Sequence, residues 1–464
     1  MGVSRPAPSL THHLSRAERL ALGKSLREKC PRNAHAKWKA PDGRPDPVDL
    51  VLAAESGRLP ELLALRHGRM VRSAFTFYRG AALHMATDLA DTPNSGIRVQ
   101  CGGDAHLCNF GGFATPERQV IFSINDLDET LPAPWEWDVK RLAASFVVGC
   151  RDNGLSEAAA REAALRCARS YRKRMAEFST MKVLDLWYLT LDPNTLISTI
   201  TDDGLRRRAL KRVEKERAKS IAENVFPKLV ESAGSATFIR DQLPTIFHAE
   251  GHKPGEVAAA VAETFAMYRQ TLAPAYQVLL DRYEVKDAAL KVVGVGSVGT
   301  ACWILLLQAG EGDPLFLQVK EARASVLEAF AGPSVFPNHG QRVVNGQRLM
   351  QPASDIFLGW MAGTEGRHFY VRQLRDCKIS VAVETFGKAE MNLYAQWCGW
   401  ALAICHARAG DPAVITGYLG RGDAFDRAIA DFSAAYADQN EKDHAALEKA
   451  IRKGKVEAVF EEET

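Results

Sequence analysis

Between Cys101 and Gly111 the chain runs Cys-Gly-Gly-Asp-Ala-His-Leu-Cys-Asn-Phe-Gly, and few folds can follow such a loop with what comes next. Asp104 and Asn109 stand five apart. A short apolar strand, Gln119-Val-Ile-Phe-Ser-Ile124, then delivers Asp126 seventeen residues past Asn109, in the run Ile-Asn-Asp-Leu-Asp-Glu from Ile124 to Glu129. Loop, hairpin and an acid at a strand end bring a carboxylate, an amide oxygen and a second carboxylate close together. Hard cations such as Mg²⁺ take oxygen ligands of this kind and leave positions open for phosphate oxygens. A remaining carboxylate can then orient a substrate hydroxyl for phosphoryl transfer.

Composition sets the frame for that site. At 464 residues the chain is long enough for two domains or one large two-lobed one. A hydrophobic content of 46% with 25% charged residues is that of an ordinary globular protein. A formal charge of +3 is too small to argue for nucleic acid or a membrane surface. The nine Cys include no CxxC pair, and an odd, scattered set suits free thiols in a reducing cytoplasm. Cys101 and Cys108 flank the key loop without the His-rich spacing of a zinc site. No apolar run has the signature of a signal peptide or the roughly 18 residues of a membrane span. Met1-Gly2 would suit myristoylation, but position 6 is Pro where that pattern needs Ser or Thr. The expectation is a cytoplasmic protein with no membrane partner.

Along the chain, residues 1–48 are polar and Pro-rich, with one helix expected from Ser15 to Lys29. Arg58 to Ala90 reads as mostly helical. Its Arg69 and Arg79 can be exposed helix charges, the favoured reading, or phosphate contacts. A helix is expected from about Asp138 to Asn153, with Asp138 suited to be its N-cap. Helical patterns follow over Ser156–Met181, Asp202–Gly234 and Gly255–Arg282, with a loop over Pro244–Pro254. The basic stretch from Arg206 to Lys219 is interrupted by Glu214 and Glu216, which reads as a solvated face and argues against nucleic acid.

At Ala289 the periodicity changes. Leu290-Lys-Val-Val293 leads into Gly294-Val-Gly-Ser-Val-Gly299, then an apolar run to Leu307, a turn, and Leu315-Phe-Leu-Gln-Val-Lys320. A dinucleotide fold would need a helix directly after the glycines; the β-branched, apolar residues here predict a strand. Lys320 is then either a phosphate-pairing lysine or an edge-strand surface residue. Glu328 falls in a short helix, and the stronger helix Gln341–Gln351 offers Gln341, Gln347 and arginines but no Glu. Ile356–Trp360 and His368–Leu374 read as a hairpin, Phe386–Ala409 as a long amphipathic helix in which His406 packs, and the tail from Asp423 as helical.

Two resemblances bear on these motifs. Gly103-Asp-Ala-His-Leu-Cys-Asn109 resembles the HGDxHxxN loop of aminoglycoside and choline kinase-type phosphotransferases, with Gly102 where that pattern has His. Asp126-Leu-Asp128 is similar to the acid motif of the same superfamily, and Pro134-Trp-Glu-Trp-Asp138-Val to the segment in which a buried Asp braces the loop. Strand, glycine loop, strand and a strand ending in Lys320 resemble the phosphate-covering part of protein kinases. Over most of its length the chain also resembles the bacterial proteins grouped as domain of unknown function 2252, a name that carries no activity.

The kinase-like resemblance implies catalytic places for Asp104, His106 and Asp138, and metal ligation by Asn109, Asp126 and Asp128. It implies nucleotide binding by Gly294, Gly296, Ser297, Gly299, Lys320, Gln373 and Leu374, the last two from a linker whose backbone meets adenine. ATP and Mg²⁺ are the expected cofactors, and a hydroxyl-bearing small molecule or protein the acceptor. Since the glycine loop follows the Asp104 loop, the implied fold is an α+β, two-lobed, kinase-like one, circularly permuted, with helical insertions. Its parts would be an arm (1–48), a helical catalytic lobe (49–284), a small antiparallel β lobe (285–378) and closing helices (379–464). The alternatives are a catalytically weak nucleotide-binding protein, or a metal-dependent phosphohydrolase built on the D-x-H pair Asp104 and His106.

Overall fold

The computed structural model describes residues 11, 13–217, 229–233, 236–248, 256–363, 366–374, 379 and 381–461. Residues 1–10, 218–228, 234 and 249–255, all part of the expectations above, lie outside that set. The described chain is a mixed α+β structure. Four long helices, Trp135–Asp152, Glu157–Phe178, Lys388–Ala409 and Ala424–Arg452, pack together around the largest core cluster. The third of these lies along the second, so residues before and after the sheet share one helical body.

Strands β1 (Arg98–Cys101) and β4 (Leu131–Pro134) pair antiparallel, and β2 (Phe110–Ala114) pairs with β3 (Val120–Ile124). The first pair fixes both ends of the segment 102–130, and the second is the expected hairpin within it. Next come β5 (Val230–Ala233) and β6 (Ala236–Ile239), paired with each other, then β7 (Ile246–Phe247), β8 (Glu284–Lys291), β9 (Cys302–Gln308), β10 (Pro314–Ala322), β11 (Gly359–Ala362) and β12 (His368–Gln373). The last six form one antiparallel sheet in the order β11-β12-β10-β9-β8-β7. Side chains alternate across such a sheet, and the cores on its two faces record this. Leu305, Leu307, Leu317 and Val319 pack with Tyr268 and Leu272 on one face. Ile304, Leu306 and Phe316 pack with Leu229, Ile239 and Leu374 on the other. Lys320 shares the parity of Phe316, so it leaves the sheet on the second face.

One alternative falls and two expectations change. Lys320 is no edge residue: β10 lies between β9 and β12, and Lys320 is 2% exposed. The helix expected through Gly234 ends, within the described residues, at Arg217; Val230–Ala233 is a strand paired with Ala236–Ile239, because Val230 and Ile239 bury against the sheet. The packing around the sheet also begins before 285. Strand β7 falls in the expected loop over Pro244–Pro254, and the Glu256–Gln270 helix supplies Tyr268 to the sheet's core.

Candidate functional site

The loop from Gly102 to Asn109 is held by its backbone before any side chain acts. Gly103 has φ +80°, and a Cβ there would lie 2.4 Å from the Glu129 carbonyl oxygen, so both conformation and space demand glycine. At Gly102 a Cβ would lie 2.9 Å from Ile124 Cδ1 and 3.4 Å from Leu127 Cδ2. The space beside Gly102 is thus filled by neighbouring side chains. Gly102→His should therefore destabilise the chain by about 1–3 kcal/mol through overpacking; an unchanged denaturant midpoint would mean the loop has room to spare.

Asp138 does not cap its helix, as the sequence led us to expect. The helix starts at Trp135, placing Asp138 in its first turn with its carboxylate turned to the loop. Gly102 N–H donates to Oδ2 at 2.6 Å and Gly103 N–H to Oδ1 at 3.0 Å. His406 Nε2 donates to the same carboxylate at 3.1 Å, and the Tyr171 hydroxyl donates to His406 Nδ1 at 2.9 Å. All of this is buried, so His406 is a bonded part of the brace as well as a packing residue. Cys101, Asp138 and His406 offer ligand atoms within 4.8 Å of one another. Each is already hydrogen-bonded inside the protein, Cys101 Sγ to the carbonyls of Ala133 and Pro134, and the trio reads as a strut for the loop.

Asp104 meets Arg141, whose Nε and Nη2 lie 2.6 and 2.5 Å from Oδ1. Arg141 is held in turn by the Tyr78 carbonyl at 3.0 Å and lies over the Tyr78 ring. Burial pushes the Asp104 carboxyl up to about 7, with Glu129 and Asp126 adding to the rise and Arg141 opposing it. His106 sits behind Asp104, 3.8 Å from Oδ2, and burial holds its imidazole well below the usual range and neutral. It is 4% exposed. Arg141 thus takes Oδ1 of Asp104, and His106 stands beside Oδ2.

Asn109 donates from Nδ2 to the Asp104 carbonyl at 2.9 Å, and its own carbonyl accepts from Asn125 N–H at 2.8 Å. The loop and the acid segment are thereby tied side by side. Across from them stands Lys320, with Nζ 2.6 Å from Asp128 Oδ2 and 3.6 Å from Asp126 Oδ1. Burial works against the Lys320 charge, yet Asp126 and Asp128 overcome it and raise its pKa well above the ordinary value. The Tyr370 hydroxyl donates to Asp128 Oδ1 at 2.6 Å. Arg342 donates to the carbonyls of Asp128 and Thr130, and Arg372 to that of Asn125. Glu328, weighed as a partner for Lys320, instead lies 3.8 Å from both Arg342 and His339.

A cleft of about 1000 Å³ opens between these groups, lined by Asn109, Asp126, Gly294, Ser297 and Lys320. The other glycines of the loop turn away: a Cβ on Gly296 would meet the Arg79 carbonyl, and Gly299 faces Arg58 while its carbonyl accepts from Leu59 N–H. Arg69 proves to be neither a free helix charge nor a cleft residue, since it pairs with Glu461 and donates to the Gly294 carbonyl. Arg79 does line the cleft, and its Nε has no hydrogen-bond partner among the described residues. Gln373 and Leu374 line it too, but their amides are engaged, Gln373 N–H with Asp355 Oδ2 and Leu374 N–H with the Phe316 carbonyl.

Residues 58–450 match the family model described as "Uncharacterized protein conserved in bacteria (DUF2252)". The chain belongs to DUF2252. The matched span contains every residue of the cleft named above, from Arg79 to Leu374, and the Asp138–His406 brace. No curated protein and no solved structure matches this DUF2252 chain. Among its described residues, no helix is long and apolar enough to cross a membrane.

Proposed function

We propose that this DUF2252 chain is an ATP- and Mg²⁺-dependent phosphotransferase with a kinase-like, circularly permuted arrangement, acting on a hydroxyl acceptor. The observation that carries the reading is Lys320: a lysine from the middle of the sheet meets two acids 192 and 194 residues earlier, across a cleft bordered by a glycine turn. The donor set fits a hard cation, because two carboxylates already share one positive charge there and Asn109 stands beside them. Asn109, Asp126 and Asp128 would hold Mg²⁺, which when bound neutralises phosphate oxygens. Lys320, drawn off the acids, pairs the phosphates, while Gly294 and Ser297 border them. Asp104, fixed by Arg141, orients the acceptor hydroxyl and takes its proton.

A second reading, nucleotide binding with little transfer, is favoured by one feature. The Arg141 ion pair occupies Oδ1 of Asp104, and an acceptor must compete for what remains. Turnover measured beside binding separates the two.

Ligand binding tests both. At a hundred times Kd, ATP with Mg²⁺ should stabilise the fold by about 2.7 kcal/mol, a rise of a few degrees in melting temperature. ATP with a chelator should give a smaller shift. Folded protein that shows no shift at millimolar ATP and Mg²⁺ would sink the proposal.

A further inference from the structure

The helix His339–Met350 runs along the acid segment and holds it at two levels. Arg342 donates to the Asp128 and Thr130 carbonyls, and Gln351, just past the helix end, donates from Nε2 to the Ile124 carbonyl at 2.8 Å. Gln347 lies between those two anchors, one turn before Gln351, and lines the cleft together with Asp126 and Lys320. It is 4% exposed, and its Nε2 is buried with no hydrogen-bond partner among the described residues. A buried N–H group without an acceptor is destabilising.

We propose that Gln347 is a ligand-binding residue of the cleft, whose side-chain amide donates to an anionic oxygen of a bound polyphosphate. The inference rests on the phosphotransferase reading above and adds a residue to it. No acceptor for it stands among the described residues, and the cleft's five cations, Lys320 and Arg372 among them, outnumber its four acids and favour an anionic one. The absence of charge matters as much as the donor. A carboxylate at this position would compete with Asp126 and Asp128 for Lys320 and would repel the phosphates. An amide supplies a hydrogen bond and leaves the lysine to the acid pair until the ligand arrives.

The test uses the full chain, with Mg²⁺-ATP and Mg²⁺-tripolyphosphate as probes in calorimetric titrations, beside melting of the ligand-free protein. Gln347→Leu keeps the volume and removes the unpaired donor. Its ligand-free melting temperature should equal or exceed that of the wild type, while Kd for both probes rises about tenfold or more, the weight of one hydrogen bond to a charged group. Gln347→Glu should weaken both probes further. If the wild type binds both probes and Gln347→Leu binds them equally well, the role of Gln347 is wrong and the phosphotransferase reading stands. If the wild type binds neither, that reading falls and takes this one with it. If neither Gln347→Leu nor Gln347→Met folds, the side chain is structural and the proposal is overturned.

Discussion

Asp104→Asn should lower turnover by about 10²- to 10⁴-fold, the usual contribution of a positioned base, and leave the affinity for Mg²⁺-ATP nearly unchanged. Asp104 touches the acceptor side in our reading, whereas Asp126 is placed to hold metal. Asp126→Asn should therefore lose nucleotide binding together with turnover, and the split between kcat and nucleotide KM separates the two roles. Slow ATP hydrolysis suffices as the assay where the acceptor is unknown. The pH profile adds a second check. With the Asp104 carboxyl pushed up to about 7, the base form grows as pH rises, so wild-type kcat/KM should climb toward pH 7 and level above it. Stability has the opposite sign. A carboxyl whose folded pKa is raised from 3.8 to about 7 favours the fold below its unfolded value and loses that contribution as pH rises through 7. Full turnover in Asp104→Asn would remove Asp104 from the reaction.

Asp138→Ala should cost about 3–5 kcal/mol of stability. The carboxylate accepts from Gly102, Gly103 and His406, and its removal leaves three buried donors without a partner. A buried donor left unpaired costs about 1–3 kcal/mol. Denaturant midpoints measure the loss, and Asp138→Asn, which keeps acceptor capacity on one side of the group, should be milder. The Ala variant should also lose nucleotide affinity, since the Asn109 end of the loop is positioned by its Gly102 end. An Ala variant as stable as wild type would show that the loop stands without its strut.

Local patterns in the sequence carried the parts of the site that are local in space. The glycines and acids from Gly102 to Asp128, the hairpin between them, and the strand ending in Lys320 each depend on neighbours within a few residues, and they are found where periodicity and turn residues put them. What could not be read were the pairings. Arg141 on Asp104, Tyr370 and Arg342 on Asp128, and His406 on Asp138 join residues 37 to 268 apart. Nothing in a single sequence orders such partners. Asp138 illustrates the cost: a cap and a brace need the same residue near a helix start, and only the direction of its carboxylate tells them apart. The strand at Val230–Ala233 failed for another reason, since its helix-like surroundings were overridden by burial of Val230 against the sheet.

The distance along the chain between Asp128 and Lys320 also has a temporal side. At roughly 5–20 residues per second of synthesis, a growing chain exposes Asp126 and Asp128 for about 10 to 40 s before their lysine is made. His406, the third donor to Asp138, is made later still. Until then the acid segment is a pair of like charges on a loop without its strut, and the cleft does not exist. In the phosphotransferase reading, a nucleotide would therefore stabilise only chains translated past Lys320 and His406.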